Sequence, residues 1–264
     1  MKLSDYIEKL LAEGRCTFTV DEAKQNLEKS RAAIILSIEH LKQQRKVASP
    51  AKGFYVIIPP EYRIYECLPA EYFLPYLMRY WQKQYYVCLV TAASYHGAAH
   101  QQPQTFQVMV QKSRKPITCG KIRVEFIANK HLKRNLTQKF ITQRSELVVS
   151  TPEVTAMDLI NYPKQCGGLN RIATILDELR EAIKEKELLE LLERATHRFW
   201  QQRLGYMLDK LGAGNLAQVI FQHLQQLSGI GYIPLDPLLP TNIPFSAKNK
   251  RWKIVENCSF ESDL

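Results

Sequence analysis

An α+β fold is predicted, with an N-terminal winged helix-turn-helix over residues 1–60 and a larger C-terminal mixed α/β domain over 61–264. The second part reads as antiparallel strands to about residue 160 and a helical bundle beyond. Three observations predict it. Helix signals come three times before residue 45 and lead into a hairpin that carries proline and glycine. Alternating apolar and polar residues then mark short strands between 105 and 149. From Asn170 to about Leu227 the apolar spacing is helical. A length of 264 residues suits one large domain or two ordinary ones.

Leu3, Tyr6, Ile7, Leu10 and Leu11 fall on one helical stripe, which Gly14 closes. Cys16–Phe18 is a short extended piece. The Thr19 hydroxyl is placed to accept from the Glu22 N–H while Glu22 reaches back, a capping box that opens a second helix through Leu27. Ser30 caps a third, with Ile34, Ile38 and Leu41 inward. In the hairpin that follows, Pro50 presets φ for a turn and Gly53 accepts φ > 0. Its flanks, Lys46–Ser49 and Phe54–Ile58, are rich in β-branched and aromatic residues, and Pro59 and Pro60 stop the second strand.

Three short helices and a hairpin are the order of the winged helix-turn-helix. There the third helix enters the major groove and the hairpin braces the phosphate backbone. Arg31, with Ala32 and Ile35 beside it, is the expected base reader. Lys42, Arg45 and Lys46 at the helix end and Lys52 on the wing neutralise phosphates, which fixes register without carrying sequence information. Thr19 and Ser30, at the two helix starts, complete the DNA-binding set. In the competing reading the Arg31 stem only covers the core, or the winged domain docks a protein. The charge of residues 1–60, ten cationic against seven acidic side chains, leaves both readings open.

Beyond residue 60, a helix, a buried segment and a second helix ending at Gly97 occupy 71–98. Thr105–Gln111 and Lys121–Ala128 alternate as strands, and Phe140–Val149 supplies more. Thr151 is a hydroxyl cap, Pro152 a first helical residue and Glu153 a first-turn acid, so a helix runs through Ile160. Ile172, Ile175, Leu176, Leu179 and Ile183 form one stripe; Leu204, Met207, Leu208 and Leu211 form another. Gly205 inside the latter costs about 1 kcal/mol against alanine, which points to close helix packing. Gly231–Ala247 reads as loop, and "RWKIVEN" (residues 251–257) closes with a strand.

Composition bounds the function. Lys plus Arg at 36 against Asp plus Glu at 26 gives +10, a balance that favours a polyanionic partner. From Gln111 to Arg144 ten cationic side chains face one acid, Glu125. That segment is either a solvated strand face or a surface for phosphate or an acidic protein. No run of 18 apolar residues is present and no signal-peptide pattern opens the chain, so a cytoplasmic protein without a membrane span is expected. The six cysteines are scattered without CxxC and read as reduced, buried small hydrophobes. His96 and His100 stand i, i+4, but Gly97 lies between them and no third ligand follows, so no metal is expected. Glu153 and Asp158 are five apart and read as part of a capped helix, not an acid/base pair. Gly167-Gly168 lacks the lysine of a phosphate loop. No catalytic residue and no cofactor is expected.

Several segments in order, "GFYVIIPPEYR", "YYVCLVTAASYHGAAHQQPQTFQVMV", "STPEVTAMDLINYPKQCGGLNRIATILDEL", "QRLGYMLDKLG" and "NKRWKIVEN", resemble the AbiE-type antitoxin family (AbiEi) of type IV toxin–antitoxin systems. The resemblance implies an N-terminal domain that binds inverted repeats in its own promoter and represses it. It implies a C-terminal domain that opposes a nucleotidyltransferase toxin without a stable complex, and no enzymatic site. A monomer that binds DNA cooperatively is expected. His96, Gln101 and Gln102 become candidates for the antitoxin surface, together with Lys112, Arg114, Lys121, Arg123, Arg134 and Arg144 of the basic segment. The alternatives are a nucleic-acid-modifying enzyme recruited by the winged domain and a non-catalytic docking module.

Overall fold

A computed structural model describes residues 1–98, 103–132, 135–195, 197–240 and 247–262. The fold is α+β, and the chain divides into two compact units. The first comprises Met1–Val87, Gln104–Leu132 and Lys139–Val149; the second comprises Cys88–Pro103, Lys133–Gln138 and Ser150–Leu264.

The first unit begins with three helices, α1 (Leu3–Ala12), α2 (Val20–Leu27) and α3 (Arg31–Gln43). Strands β1 (Thr17–Thr19), β2 (Val47–Ala51) and β3 (Phe54–Ile57) form an antiparallel sheet in the order β1-β3-β2. The capping box forms: Thr19 Oγ1 accepts from the Glu22 N–H at 3.1 Å, and Glu22 accepts from the Thr19 N–H at 2.8 Å. Ser30 Oγ accepts from the Ala33 N–H at 3.3 Å, which starts α3. One core gathers Tyr6 and Leu10 from α1, Ile34 and Ile38 from α3, and Phe18 and Tyr55 from the sheet. The hairpin differs from expectation in one respect. Ala51 pairs with Phe54, so the turn is the two-residue Lys52-Gly53, with Gly53 at φ +80°, and Pro50 lies inside β2. Proline is tolerated there because β2 is an edge strand whose register shifts between Ala48 and Ala51.

After a 3-10 turn over Pro60–Tyr65 come α4 (Ala70–Tyr80) and a six-stranded sheet. Its strands are β4 (Tyr85–Val87), β5 (Phe106–Val110), β6 (Ile117–Cys119), β7 (Ile122–Ala128), β8 (Thr137–Ile141) and β9 (Glu146–Ser150), in the order β6-β7-β5-β4-β9-β8. The strand directions correct the antiparallel expectation. β4/β5 and β6/β7 are antiparallel, but β5/β7 and β4/β9 are parallel. β6 folds back on β7 as an outer hairpin, so β7 meets β5 running the same way. β5 accordingly buries Gln107–Val110 without alternation, as a strand covered on both faces does.

The second unit holds α5 (Leu89–Tyr95), α6 (Pro152–Asn161), α7 (Pro163–Cys166), α8 (Leu169–Leu179), α9 (Glu185–Arg194), α10 (Phe199–Lys210) and α11 (Gly214–Gln225). Thr151 caps α6 as expected, its Oγ1 accepting from the Val154 N–H. α6 is central: every residue from Pro152 to Ile160 is buried, and α5, α8, α9 and α10 pack around it. The segment expected to be loop contributes to a small sheet of β10 (Ile233–Pro234), β11 (Ala247–Asn249) and β12 (Ile254–Glu256), in the order β10-β12-β11. Beneath it, Gln202 Nε2 donates to the carbonyls of Trp252, at 3.0 Å, and of Lys253, at 3.3 Å.

Candidate nucleic-acid interface

α3 buries Ile34, Ile38 and Leu41 against the core, so its opposite face is fixed by helical geometry. That face presents Arg31, Ala32, Ile35, Leu36, Glu39 and His40. Arg31 extends from the first turn and pairs with Asp21 at 3.2 Å, both side chains more than half exposed. Such a surface pair is worth about 0–1 kcal/mol, so the guanidinium is available to a better anion. Thr19 and Ser30 use their hydroxyls for capping, which assigns both a structural role at the helix starts.

The cations at the C-terminal end of α3 sit in a different setting. Lys42 Nζ reaches both carboxylate oxygens of Glu39, at 3.0 and 3.1 Å, and Arg45 pairs with Glu66 at 3.0 Å. Lys46 is half-buried, its carbonyl accepting from the Ile58 N–H at 2.8 Å. Lys52 is exposed at the hairpin tip, and its carbonyl accepts from the Tyr80 hydroxyl at 3.3 Å. Between α3, β2 and the β6–β7 hairpin lies a cleft of about 430 Å³, lined by Lys42, Arg45, Ser49, Glu66, Thr118 and Gly120 among others. The β6–β7 hairpin also carries Lys121 and Arg123, both exposed. Residues from two distant basic stretches of the sequence thus meet in one unit.

The rest of the basic segment is dispersed. Lys112 is exposed, whereas the Arg114 guanidinium stacks on Trp81, 3.7 Å from the ring centre. Lys139 pairs with Glu146 at 2.8 Å, and Arg144 with Glu61 at 3.8 Å. Gln101, Gln102 and Arg134, like His100, lie outside the described residues.

In the second unit His96 is a fastening point. Its Nε2–H donates to the Ser150 carbonyl at 2.8 Å, and Gln138 Nε2 donates to its Nδ1 at 3.3 Å. Burial pushes its pKa below the usual 6.5, against the opposing hydrogen bond to Ser150 and the charge of Glu153. The neutral ring therefore ties the end of α5 to the start of α6. Glu153 itself is fully buried, one carboxylate oxygen accepting from the Lys184 N–H at 2.9 Å. The first-turn position of Glu153 does not by itself announce this burial. The signal lay in the apolar and small residues on all sides of 152–160, which a surface helix does not carry.

Leu36 was also missed: it is 72% exposed, with Ile35 at 39%. The run Ile34-Ile35-Leu36 announces it, because a helix that buries one face cannot bury three consecutive residues. No group of three or more His, Cys, Asp or Glu able to hold a metal occurs among the described residues, and no helix there is long and apolar enough to cross a membrane.

Residues 85–210, just under half of the chain, match the family model of the AbiEi antitoxin C-terminal domain. Among solved structures the chain is similar to the crystal structure of the RV2827C protein from Mycobacterium tuberculosis. The TM-score is 0.69 at 17% identity, over 95% of this chain and 89% of that one. Identity at that level shows a shared fold alone. No curated protein matches the chain.

Proposed function

We propose, from the premise that residues 85–210 carry an AbiEi-type antitoxin C-terminal domain, that this chain is both the antitoxin of a type IV system and the repressor of its own operon. Residues 1–60 read the DNA, and residues 61–264 oppose a nucleotidyltransferase toxin without catalysis and without a lasting complex. The antitoxin half rests on the family match. The observation that carries the DNA-binding half is α3, capped at Ser30 and braced by a core, presenting Arg31, Ala32 and Ile35 beside a hairpin tipped by Lys52. Ala32 and Ile35 are of the size and polarity to meet thymine methyl groups, and Arg31 is of the type that meets guanine. Lys42, Arg45, Lys121 and Arg123 take phosphates. A cytoplasmic monomer that assembles cooperatively on inverted repeats completes the reading.

Two experiments test the halves separately. Co-expression with a neighbouring nucleotidyltransferase is expected to restore growth that the toxin alone arrests; continued arrest with the antitoxin present overturns the antitoxin half. Gel shifts on the protein's own upstream DNA test the other half. Arg31→Ala is expected to weaken specific binding by about 1–3 kcal/mol, and an unchanged midpoint removes Arg31 as the reader. The exposure of Ile35 and Leu36 favours a second reading, in which α3 docks a protein. Binding that fails on all DNA while Leu36→Ser abolishes a protein contact selects it.

A further inference from the structure

Two cysteines that neither half of the proposed function uses lie on segments that meet beside the cleft. Cys67 follows the Pro60–Tyr65 turn and is fully buried; Cys119 ends β6 and lines the cleft wall at 8% exposure. The backbone fixes their approach. The Lys121 N–H donates to the Tyr65 carbonyl at 2.9 Å, and Gly120 lies so near that an added Cβ would collide with that carbonyl oxygen and with Glu66. Tyr65 thus meets Lys121 and Glu66 meets Gly120, and the next residues along the two segments are Cys67 and Cys119.

The two thiols are not equivalent. The neighbouring Cys67 thiol holds Cys119 below the usual thiol range, while Cys119 and burial push Cys67 above it. The Ser49 backbone and the Lys42 charge favour the Cys119 thiolate as well, against the effect of burial. The cleft gives a small oxidant a path to Cys119, whereas Cys67 has no exposed surface of its own. This is the division of labour between an attacking and a resolving cysteine.

We propose that Cys67 and Cys119 are an oxidisable dithiol, with Cys119 the sulfur that meets a hydroperoxide and Cys67 the one that closes the disulfide. In the first step the Cys119 thiolate attacks a peroxide oxygen. An S–O bond forms, the O–O bond breaks, and the departing hydroxide takes a proton to become water. In the second step the Cys67 sulfur attacks the sulfenic sulfur. An S–S bond forms, the S–O bond breaks, and hydroxide leaves with the Cys67 proton as a second water. Overall, two thiols and one hydrogen peroxide give one disulfide and two waters, with two electrons passing from sulfur to peroxide. The bond joins the segment leaving the wing to the basic β6–β7 hairpin, two walls of the same cleft.

The test uses the reduced full-length chain, exposed to graded hydrogen peroxide, quenched with an alkylating agent and mapped by peptide mass spectrometry. The expected result is a linked pair of peptides containing Cys67 and Cys119, two hydrogens lighter than their sum. It should form at peroxide concentrations about tenfold below those that modify the half-buried Cys258. In Cys67→Ser the Cys119 sulfenic acid should persist and be trapped by dimedone; in Cys119→Ser neither the link nor a sulfenic acid at Cys67 should appear. Because the first measurement needs no variant, a misfolded mutant does not rescue the idea. Cys119 that remains alkylatable after Cys258 is oxidised, or Cys119 linked to a different cysteine, overturns it.

Discussion

Gly205 and Trp252 show how little room one residue leaves for another. A Cβ on Gly205 would overlap the six-membered ring of Trp252, which is 1% exposed. The ring cannot retreat, since its Nε1–H donates to Asp209 at 2.8 Å and Phe221 meets it edge-on with centroids 5.7 Å apart. The glycine is thus explained by close packing, as expected, but against a tryptophan from the turn between β11 and β12 and not a second helix. Gly205→Ala should gain about 1 kcal/mol of helix propensity and lose about 1–3 kcal/mol to overpacking. A net fall in thermal midpoint is expected, and a rise would show that the ring can move.

His96 makes a prediction of opposite character, set by protons. Burial lowers its folded-state pKa below 6.5, so as the pH falls the unfolded chain takes up the proton first. The stability that depends on a neutral ring is complete above pH 6.5 and is lost progressively below it. His96→Gln is expected to flatten the stability difference between about pH 7.5 and about pH 5.5. Urea unfolding at the two pH values measures it; an undiminished difference would assign the effect elsewhere, His223 being another imidazole whose pKa burial lowers.

At the scale of elements, helix starts were legible and strand partners were not. Thr19 with Glu22, Ser30, and Thr151 with Pro152 each announce a helix within four residues, because the chemistry of a cap is local. The order β6-β7-β5-β4-β9-β8 is not local: β4 lies between strands that follow it by some twenty and sixty residues. Period-2 patterns identify a strand but carry no address for its neighbour. Pro50 illustrates the same limit, since its fixed φ suits both a turn and an edge strand, and only the pairing of Ala51 with Phe54 decides. Of the candidate interface, Arg31 and Lys52 were legible from helix and hairpin order. Bringing the β6–β7 hairpin, which carries Lys121 and Arg123, to the cleft that Lys42 and Arg45 line required the fold. Thr19→Ala removes a cap that both sequence and structure place, so a loss of about 1 kcal/mol is expected in chemical denaturation. A change below a few tenths would mean that packing of Val20 and Leu27 alone holds α2.

For the whole molecule, the cations behind the charge of +10 sit in different settings: some in ion pairs such as Arg45 with Glu66, the Arg114 guanidinium stacked on an indole, and others, Lys52, Lys112 and Lys121 among them, exposed. Only cations that exchange small ions for phosphate contribute to salt dependence. Lys52→Ala is therefore expected to lower affinity for all duplexes alike and to reduce the slope of log K against log salt by about 1. A loss confined to the operator would make Lys52 a reader of bases.

The hairpin tip on which Lys52 rides is not a free loop. The Tyr80 hydroxyl holds its carbonyl, and the rings of Phe54 and Tyr80 pack with centroids 5.6 Å apart. A loop that orders only on contact gives up conformational entropy at that moment, while one already held has met that cost during folding. The tether to α4 thus makes the wing preorganised: its encounter with a phosphate resembles the closing of a rigid jaw more than the settling of a flexible arm.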